Sequence, residues 1–351
     1  MAGGDASRSP LYTPSRAISY HHLIILKSSS LLGNPSIPSS RSSSTETSPL
    51  RIGTRGSPLA LAQAHELQGR LAATLAVSAS AIEIVIIKTT GDTIQDRPLS
   101  ESGGKGLFTK ELDLALMRGD IDIAVHSSKD LPTILPNEIT IAGYLPREDV
   151  RDAWISPHAL HPRDLAPGSV VGTASLRRGA MVKKLRPDLE IKLLRGNVET
   201  RLAKVAKGEV AATLLAFAGL KRLGLEDKAS AVLPLEDFLP AAGQGAIGIT
   251  ARRDDEAALA LVARIADVPT AVALCAERAF LGVLDGSCKT PIGAYASLTD
   301  GTLLFRGIVL RPDGSQFFEA QLSGPSSDAQ MLGEAAARDI LARLPTGFFE
   351  S

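Results

Sequence analysis

Two strand-like runs, RIGTRGS (51–57) and IEIVIIKTT (82–90), flank a stretch at about 58–76 in which apolar residues recur with the period of a helix. Both runs have the apolar, β-branched character of buried strands. A strand, a helix and a second strand in this order predict a parallel pair of strands with a helix packed against the sheet.

The same alternation continues along the chain. Further strand-like runs are DIAVHSS (122–128), SVVGTAS (169–175), EIKLLRG (190–196) and VAATLLA (210–216), and helix-period stretches such as RRGAMVKKL (177–185) follow them. We therefore predict parallel sheets sandwiched by helices. Because open sheets of this kind bind ligands at the carboxyl ends of their strands, the residues just after each strand are the candidate site.

The last third of the chain has a different pattern. ALCAERAFLGVL (273–284) is typical of a helix, and residues 296–324 contain strand runs interrupted by the turn dipeptides Asp300-Gly301 and Asp313-Gly314. These turns predict an antiparallel sheet. A terminal helix at about 327–344, starting at a Ser-Asp capping signal, should cover one face of it.

The predicted architecture is therefore two α/β domains and a smaller α+β domain. We place domain 1 at 50–147 with a return segment at 243–266, domain 2 at 148–242 and domain 3 at 267–351. The chain should cross between domains near YLPREDVRDAW (144–154) and LEDFLPAAGQG (235–245).

Composition excludes several classes of protein. Lys plus Arg and Asp plus Glu both number 38 among 351 residues, so no overall field attracts nucleic acid or a charged membrane. Aromatic residues make up only 4%, which argues against a stacking platform for single-stranded nucleic acid. Two cysteines are too few for a disulfide scaffold or a four-cysteine zinc site. We expect neither nucleic acid nor a membrane as partner, and no metal.

Residues 1–49 are rich in Ser and contain only two acidic residues, Asp5 and Glu46. This composition is typical of an organelle transit peptide, and a disordered tail is the alternative. Because Ser dominates over Arg, we predict a plastid rather than a mitochondrial destination, the chloroplast stroma.

Arginine carries the strongest chemical signal. Five arginines fall where predicted strands lead into helix starts: Arg55, Arg177, Arg178, Arg195 and Arg201. Helix N-termini favour anions, and a guanidinium binds a carboxylate or phosphate through two parallel hydrogen bonds. Ordinary surface charge is the alternative, but a cation in a first helical turn opposes the helix dipole and requires a compensating anion. The pattern predicts an anion site.

Lys129 and Asp130 end another strand, where Pro132 prevents simple continuation into a helix. The two could be an inert ion pair. A carboxylate at the mouth of an arginine-rich cleft would instead stay ionised, and would suit the stabilisation of a cation or the relay of a proton.

Two glycine-rich segments resemble nucleotide-binding motifs without matching them. GGKGLFTKEL (103–112) has Leu99 where a Walker loop needs Gly, and Gly106 where it needs Ser or Thr. GQGAIG (243–248) fits the dinucleotide spacing, but IGIT (247–250) continues as a strand instead of opening a helix. We interpret 243–248 as a hinge and the polar stretch at about 91–105 as a mobile lid.

The two cysteines differ in their surroundings. Cys275 falls inside a helix among apolar neighbours and is predicted to be buried core. Cys288 lies in the loop of LDGSCKTPIGAY (284–295), whose small residues leave the sulfur approachable, as in reactive thiols. His126 could form a thiol triad with Cys288 and Asp130, or be a hydrogen-bonded histidine at a strand end.

Together these motifs resemble the porphobilinogen deaminase family, also called hydroxymethylbilane synthases. The resemblance runs from about Arg51 to Leu344 and rests on RIGTRGSPLALAQA, GGKGLFTKEL, DIAVHSSKDLP, GTASLRR, LRGNVETRL, LPAAGQGAIGI and GSCKTPIGAY. It implies a transferase that joins four porphobilinogen molecules head to tail, with loss of ammonia, into hydroxymethylbilane. The Ser-rich leader makes the chain similar to plastid members. The implied fold is two lobes of mixed sheets flanked by helices, like those of type II periplasmic binding proteins, plus a small α+β C-terminal domain with an antiparallel sheet.

The resemblance also implies a covalent dipyrromethane cofactor, attached through a thioether to Cys288, and a catalytic Asp130. The implied cofactor-binding residues are Lys129, Ser127, Thr173, Ser175, Arg177, Arg178, Arg195 and Gly196. The implied substrate-binding residues are Arg55, Ser57, Arg195, Arg201 and Gln244, with Lys105 and Phe108 in the lid. A monomer that passes its product to uroporphyrinogen-III synthase is expected.

Two departures from many bacterial members are Ser287 before the cysteine and Ser128 before Lys129. Neither removes a reacting group. Two alternatives remain open from the residues alone: a non-catalytic anion-binding receptor, because fold does not fix function, and a cysteine hydrolase using Cys288 and His126.

Overall fold

The computed structural model describes residues 49–93, 106–284 and 290–348. The leader, most of the predicted lid with Lys105, and Cys288 lie outside the described residues. Within the described ranges the strands form three sheets: two of five strands and one of three.

The first sheet combines strands from both ends of the predicted domain 1. Its order is β2-β1-β3-β10-β4. The strands are β1 (Leu50–Thr54), β2 (Ile82–Ile86), β3 (Ile123–Ser127), β4 (Ile139–Tyr144) and β10 (Ile247–Arg252). β1 pairs in parallel with β2 and β3, whereas β10 is antiparallel to both β3 and β4.

The second sheet repeats that arrangement, with the order β7-β6-β8-β5-β9. Its strands are β5 (Asp152–Ile155), β6 (Val170–Gly172), β7 (Glu190–Lys192), β8 (Ala212–Ala216) and β9 (Ala231–Val232). β6 is parallel to β7 and β8, and β5 is antiparallel to β8 and β9. The duplicated order agrees with the two similar lobes that the sequence resemblance implied.

Both sheets are mixed, as the family resemblance implied. Strand and helix alternation by itself indicates parallel sheets, and β5 and β10 are the strands that depart from that pattern. Each of these strands follows a crossing between the two sheets, over residues 145–151 and 233–246. The apolar pattern of a strand reports burial and not direction. The direction of β5 and β10 is set by where the crossing chain enters the sheet.

Six helices lie along the first two sheets within the described ranges. They are α1 (Pro58–Leu75), α3 (Lys110–Arg118), α4 (Leu176–Leu185), α5 (Val198–Ala206), α6 (Phe217–Arg222) and α7 (Glu256–Ala263), and a single turn, α2, spans Thr90–Thr93. α1 starts as predicted: Pro58 occupies the first turn, and the Ser57 hydroxyl accepts a hydrogen bond from the Ala60 N–H at 3.3 Å.

The third sheet is antiparallel, which confirms the prediction from the turn dipeptides. It contains β11 (Ile292–Thr299), β12 (Thr302–Leu310) and β13 (Phe317–Pro325) in that order. Asp300 and Gly301, both at positive φ, form the two-residue turn between β11 and β12.

Two helices, α8 (Val268–Val283) and α9 (Ala329–Arg343), pack together and against the third sheet. The predicted Ser-Asp cap of α9 is not formed, since the Asp328 side chain makes no capping hydrogen bond. Among the described residues no single helix is long and apolar enough to cross a membrane; α7 and α8 reach that length only together, across a bend of 114°.

Glu277 on α8 joins the third sheet to both crossings. Its carboxylate is fully buried and accepts two hydrogen bonds from the Arg147 guanidinium, at 2.6 and 3.0 Å. It also accepts the Gly243 N–H at 2.6 Å and the Ala296 N–H at 2.8 Å. One side chain thus ties α8, β11 and the two connections between the larger sheets.

We expect Glu277→Ala to lower the free energy of unfolding by about 3–5 kcal/mol, because Arg147 would keep a nearly buried charge without its partner. Denaturant unfolding of the full chain measures this. Glu319→Ala is the control, because the Glu319 pair with Lys184 is half exposed at 2.7 Å and should contribute no more than about 1 kcal/mol. Equal losses of stability in the two variants would contradict the conclusion that Glu277 ties α8, β11 and the two connections together.

Candidate active site

A cleft of about 1300 Å³ opens where strands of the first two sheets end. The predicted site residues within the described ranges all line this cleft: Arg55, Ser57, Phe108, Ser127, Lys129, Asp130, Thr173, Ser175, Arg177, Arg178, Arg195, Gly196, Arg201 and Gln244. The candidate residues from the strand ends and from the family resemblance therefore lie together in one cleft. Cys288 and Lys105 lie outside the described residues.

The cleft is strongly basic, although the chain as a whole is neutral. Among the residues that the structure describes, eight Lys or Arg residues line it, against two carboxylates, Asp130 and Glu199; the cations are Arg55, Lys88, Lys129, Arg177, Arg178, Lys183, Arg195 and Arg201. Sequence reasoning missed Lys88 and Lys183. Lys88 could have been predicted from the sequence, because it ends the strand-like run IEIVIIK and so stands at a strand end.

Asp130 ends a single 3-10 turn, Ser128–Asp130, directly after β3. Its Oδ2 lies 3.9 Å from Nη1 of Arg55. The Arg55 guanidinium in turn lies over the ring of Phe108, 4.1 Å from the centroid. The carboxylate therefore stands in the cleft with one arginine close by, and about a third of its side chain is exposed.

Arg177 and Arg178 are almost fully buried and already have an anion within the protein. Asp152, which is fully buried on β5, accepts a hydrogen bond from Nη2 of Arg177 at 2.8 Å and another from Nη2 of Arg178 at 2.7 Å. These ion pairs hold the pKa of Asp152 well below its usual range, although burial opposes the shift. For these two arginines, a compensating anion is therefore provided by Asp152 within the protein.

Among the described residues, the cations that line the cleft outnumber its carboxylates. Loss of bulk water and the nearby Arg178 lower the pKa of Lys129 to about 8, against the opposing effect of Asp130 and Asp152. Burial together with Arg178 and Arg195 lowers the pKa of Arg201 to about 10. A bound polyanion would relieve this mutual repulsion, so the cleft is suited to a ligand with several carboxylates or phosphates.

His126 is a hydrogen-bonded histidine at a strand end, which was the alternative to a thiol triad; the triad itself is not tested, because Cys288 lies outside the described residues. It is buried on β3, and its Nε2 lies 3.0 Å from the Thr250 hydroxyl. Burial, with Arg55 as a smaller cause, lowers its pKa to about 3. Cys275 lies in α8 as predicted but is only partly buried, and burial raises its pKa to about 11.

The glycine-rich segment before β10 is closely packed. β10 follows it directly, as predicted, and no helix opens there. Gly243 has φ of +74°, and a Cβ on it would lie 2.9 Å from the Ser128 hydroxyl oxygen and 3.1 Å from the backbone nitrogen of Lys129. The Ser128 N–H donates to the Ala246 carbonyl at 2.9 Å. This segment therefore supports the turn that carries Lys129 and Asp130.

Two mixed sheets and a basic cleft, into which the turn Ser128–Asp130 brings one carboxylate, define an α/β protein whose site is suited to an anionic ligand. The chain belongs to the porphobilinogen deaminase family: the model of its dipyromethane cofactor binding domain matches residues 50–260, and that of its C-terminal domain matches residues 271–342.

Named relatives agree with this assignment. Porphobilinogen deaminase of Nitrobacter winogradskyi is 57% identical over 308 residues, covering 88% of this chain and 98% of that protein. The chloroplastic porphobilinogen deaminase of Pisum sativum is 52% identical over 312 residues, covering 87% and 85%. Among solved structures, a periplasmic substrate-binding protein from Coxiella burnetii covers 68% of this chain and 98% of its own at 14% identity, and the TM-score of 0.39 is too low to support an argument.

We expect Gly243→Ala to lower the free energy of unfolding by roughly 1–2 kcal/mol, because alanine is strained at this left-handed φ, and to displace the Ser128–Asp130 turn through the new Cβ. Gly69→Ala on α1 is the control: its Cβ meets nothing within 4 Å, and alanine should add roughly 0.5–1 kcal/mol in a helix. Denaturant unfolding measures both variants. A Gly243→Ala protein as stable as the parent would contradict the close-packing argument.

Proposed function

We propose that the chain is a porphobilinogen deaminase, a transferase that joins four porphobilinogen molecules head to tail, releasing ammonia, to give hydroxymethylbilane in tetrapyrrole biosynthesis. The observation that carries this proposal is the set of Lys and Arg residues that line the cleft, which within the described ranges outnumber its two carboxylates. Porphobilinogen bears acetate and propionate arms, so a growing chain gains two carboxylates per ring and needs such a surface.

The residues present fit the dipyrromethane cofactor that the family implies. The residues that would hold it are Lys129, Ser127, Thr173, Ser175, Arg195 and Gly196 with Arg177 and Arg178, and its link would be a thioether to Cys288. When bound, it supplies the primer on which the tetrapyrrole grows. We propose that residues 267–351 form the domain that presents Cys288.

In this proposal Arg177 and Arg178 have a fixed geometry. Their Nη2 atoms are held by Asp152, and their Nη1 atoms donate to the carbonyls of Leu239 and Leu214, at 2.7 and 2.9 Å. Such rigid donors hold a carboxylate in one place without having to order themselves on binding. Arg55, Ser57, Arg195, Arg201 and Gln244 would bind the incoming substrate from both sides of the cleft.

Asp130 is the proposed catalytic residue. As a carboxylate it accepts hydrogen bonds from a pyrrole N–H and assists the departing amino group. It also stabilises the positive charge that develops on the substrate ring as ammonia leaves. Nη1 of Arg55 lies 3.9 Å from Oδ2 of Asp130, so a cation is near the carboxylate without forming a close bidentate pair with it.

The decisive experiment combines intact mass with porphobilinogen consumption. We expect the purified protein to carry a dipyrrole adduct that is absent from Cys288→Ala and present in Cys275→Ala. We expect Asp130→Asn to lose activity by on the order of 10²–10³-fold, because a group that stabilises developing charge is removed, while porphobilinogen still binds.

The alternatives predict other outcomes. A bare chain mass with no consumption would favour a receptor, and rapid alkylation of an unmodified Cys288 would favour a hydrolase. Unchanged turnover of Asp130→Asn would remove that residue from the mechanism. The monomeric state and transfer of the product to uroporphyrinogen-III synthase belong to the same proposal and follow from the family resemblance.

We also propose that residues 1–49 direct the protein to the chloroplast stroma, supported by the Ser-rich composition and by the chloroplastic relative from Pisum sativum. Isolated chloroplasts should import the full chain and shorten it by roughly the length of this segment. A chain beginning at residue 50 is the matched control and should stay outside. Equal uptake of both chains would contradict the targeting role.

A further inference from the structure

We infer that Asp152 is a positioning residue for this reaction: a buried carboxylate that fixes the two guanidiniums of Arg177 and Arg178 and, through Gln244, the ammonium of Lys129. The inference rests on the proposed function. It concerns a residue that does not line the cleft and that carried no sequence signal of its own within YLPREDVRDAW.

The geometry around Asp152 joins elements from both larger sheets. Oδ1 accepts hydrogen bonds from Nε and Nη2 of Arg178, at 3.1 and 2.7 Å. Oδ2 accepts one from Nη2 of Arg177 at 2.8 Å. Oδ1 also accepts Nε2 of Gln244 at 3.0 Å. Asp152 stands at the start of β5, the arginines in the first turn of α4, and Gln244 in the loop before β10.

Gln244 extends this network into the cleft. Its Nε2 donates to the Val150 carbonyl at 2.8 Å as well as to Asp152, which fixes which end of the amide is the oxygen. That oxygen, Oε1, accepts Nζ of Lys129 at 3.3 Å. The orientation of Lys129 therefore depends on a chain of hydrogen bonds that begins at Asp152.

Asp152 also provides charge that the cleft needs. Lys129 is faced by Arg177 and Arg178 from α4, by Asp152 from β5, by Asp130 from its own turn and by the neutral Gln244. The two arginines lower the pKa of Lys129, and the two carboxylates raise it. Removing the charge of Asp152 would lower the pKa of Lys129 further below about 8, and Lys129 would lose its proton at a lower pH.

The test compares Asp152→Asn, which keeps the shape of the side chain and removes its charge, with Asp188→Asn. Asp188 pairs with Arg186 at 2.7 Å on the exposed connection between α4 and β7, away from the cleft. Three quantities are measured on the full chain: the fraction carrying the dipyrrole mass, kcat and KM for porphobilinogen, and the dependence of kcat on pH between 6 and 9.

For Asp152→Asn we expect kcat to fall on the order of 10²-fold, since a misplacement of about 1 Å in a site can have that effect. The fraction carrying the adduct should also fall. The activity that remains should decline at a lower pH than in the parent, because Lys129, a proposed cofactor-binding cation, would lose its charge at a lower pH. Asp188→Asn should match the parent in all three measurements.

Asp152→Glu separates charge from placement. It keeps the carboxylate and moves it by one methylene, so the alkaline decline should return to the pH of the parent while kcat stays at least tenfold low. If Asp152→Asn does not fold, the test rests on Asp152→Glu alone. A kcat of Asp152→Glu equal to that of the parent then overturns the inference.

The inference is also overturned if Asp152→Asn folds and matches the parent in adduct, kcat and pH profile, or if the alkaline decline is the same in the Asn and Glu variants. A parent chain without adduct and without porphobilinogen consumption would instead overturn the proposed function, and the inference with it. If the parent is active and the Asp152 variants behave like it, only the inference is overturned and the proposed function stands.

Discussion

A buried carboxylate must be matched by donors that stay in place, and this chain meets that requirement at two adjacent residues of one loop. Gly243 donates its N–H to Glu277, and Gln244 donates its side-chain amide to Asp152. Glu277 also binds Arg147 from the other crossing, and Asp152 binds both arginines of α4. The relative placement of the three sheets depends on these two anions, because each has partners in elements that are distant in sequence.

The same electrostatics explain how a neutral protein contains a basic cleft. Cations of like charge repel one another in a confined space. Burial first, and then the neighbouring arginines, lower the pKa values of Lys129 and Arg201. Asp152 offsets part of the repulsion from below the cleft surface, and Asp130 offsets part from within. What remains is an excess of positive charge that a ligand with several carboxylates can neutralise, on donors that are already ordered before it binds.

The glycine-rich loop contributes to this order through close packing. Gly243 and Gly245 both have positive φ, and a Cβ on Gly245 would lie 2.4 Å from the Glu148 carbonyl oxygen. The loop that the sequence suggested as a hinge is thus in direct backbone contact with the first crossing and with the turn of Lys129 and Asp130. Any rearrangement of the cleft would have to keep or replace these contacts.

By itself, the sequence determined the order of strands and helices, the antiparallel third sheet and the residues at strand ends that gather in the cleft, because periodicity, turn residues and helix caps are local properties. It could not determine the direction of β5 and β10, which depends on where the chain re-enters each sheet. Nor could it separate Arg177 and Arg178 from Arg55, Arg195 and Arg201. Their counter-ion, Asp152, lies 25 residues before Arg177, and only the tertiary structure brings the carboxylate and the guanidiniums within hydrogen-bonding distance.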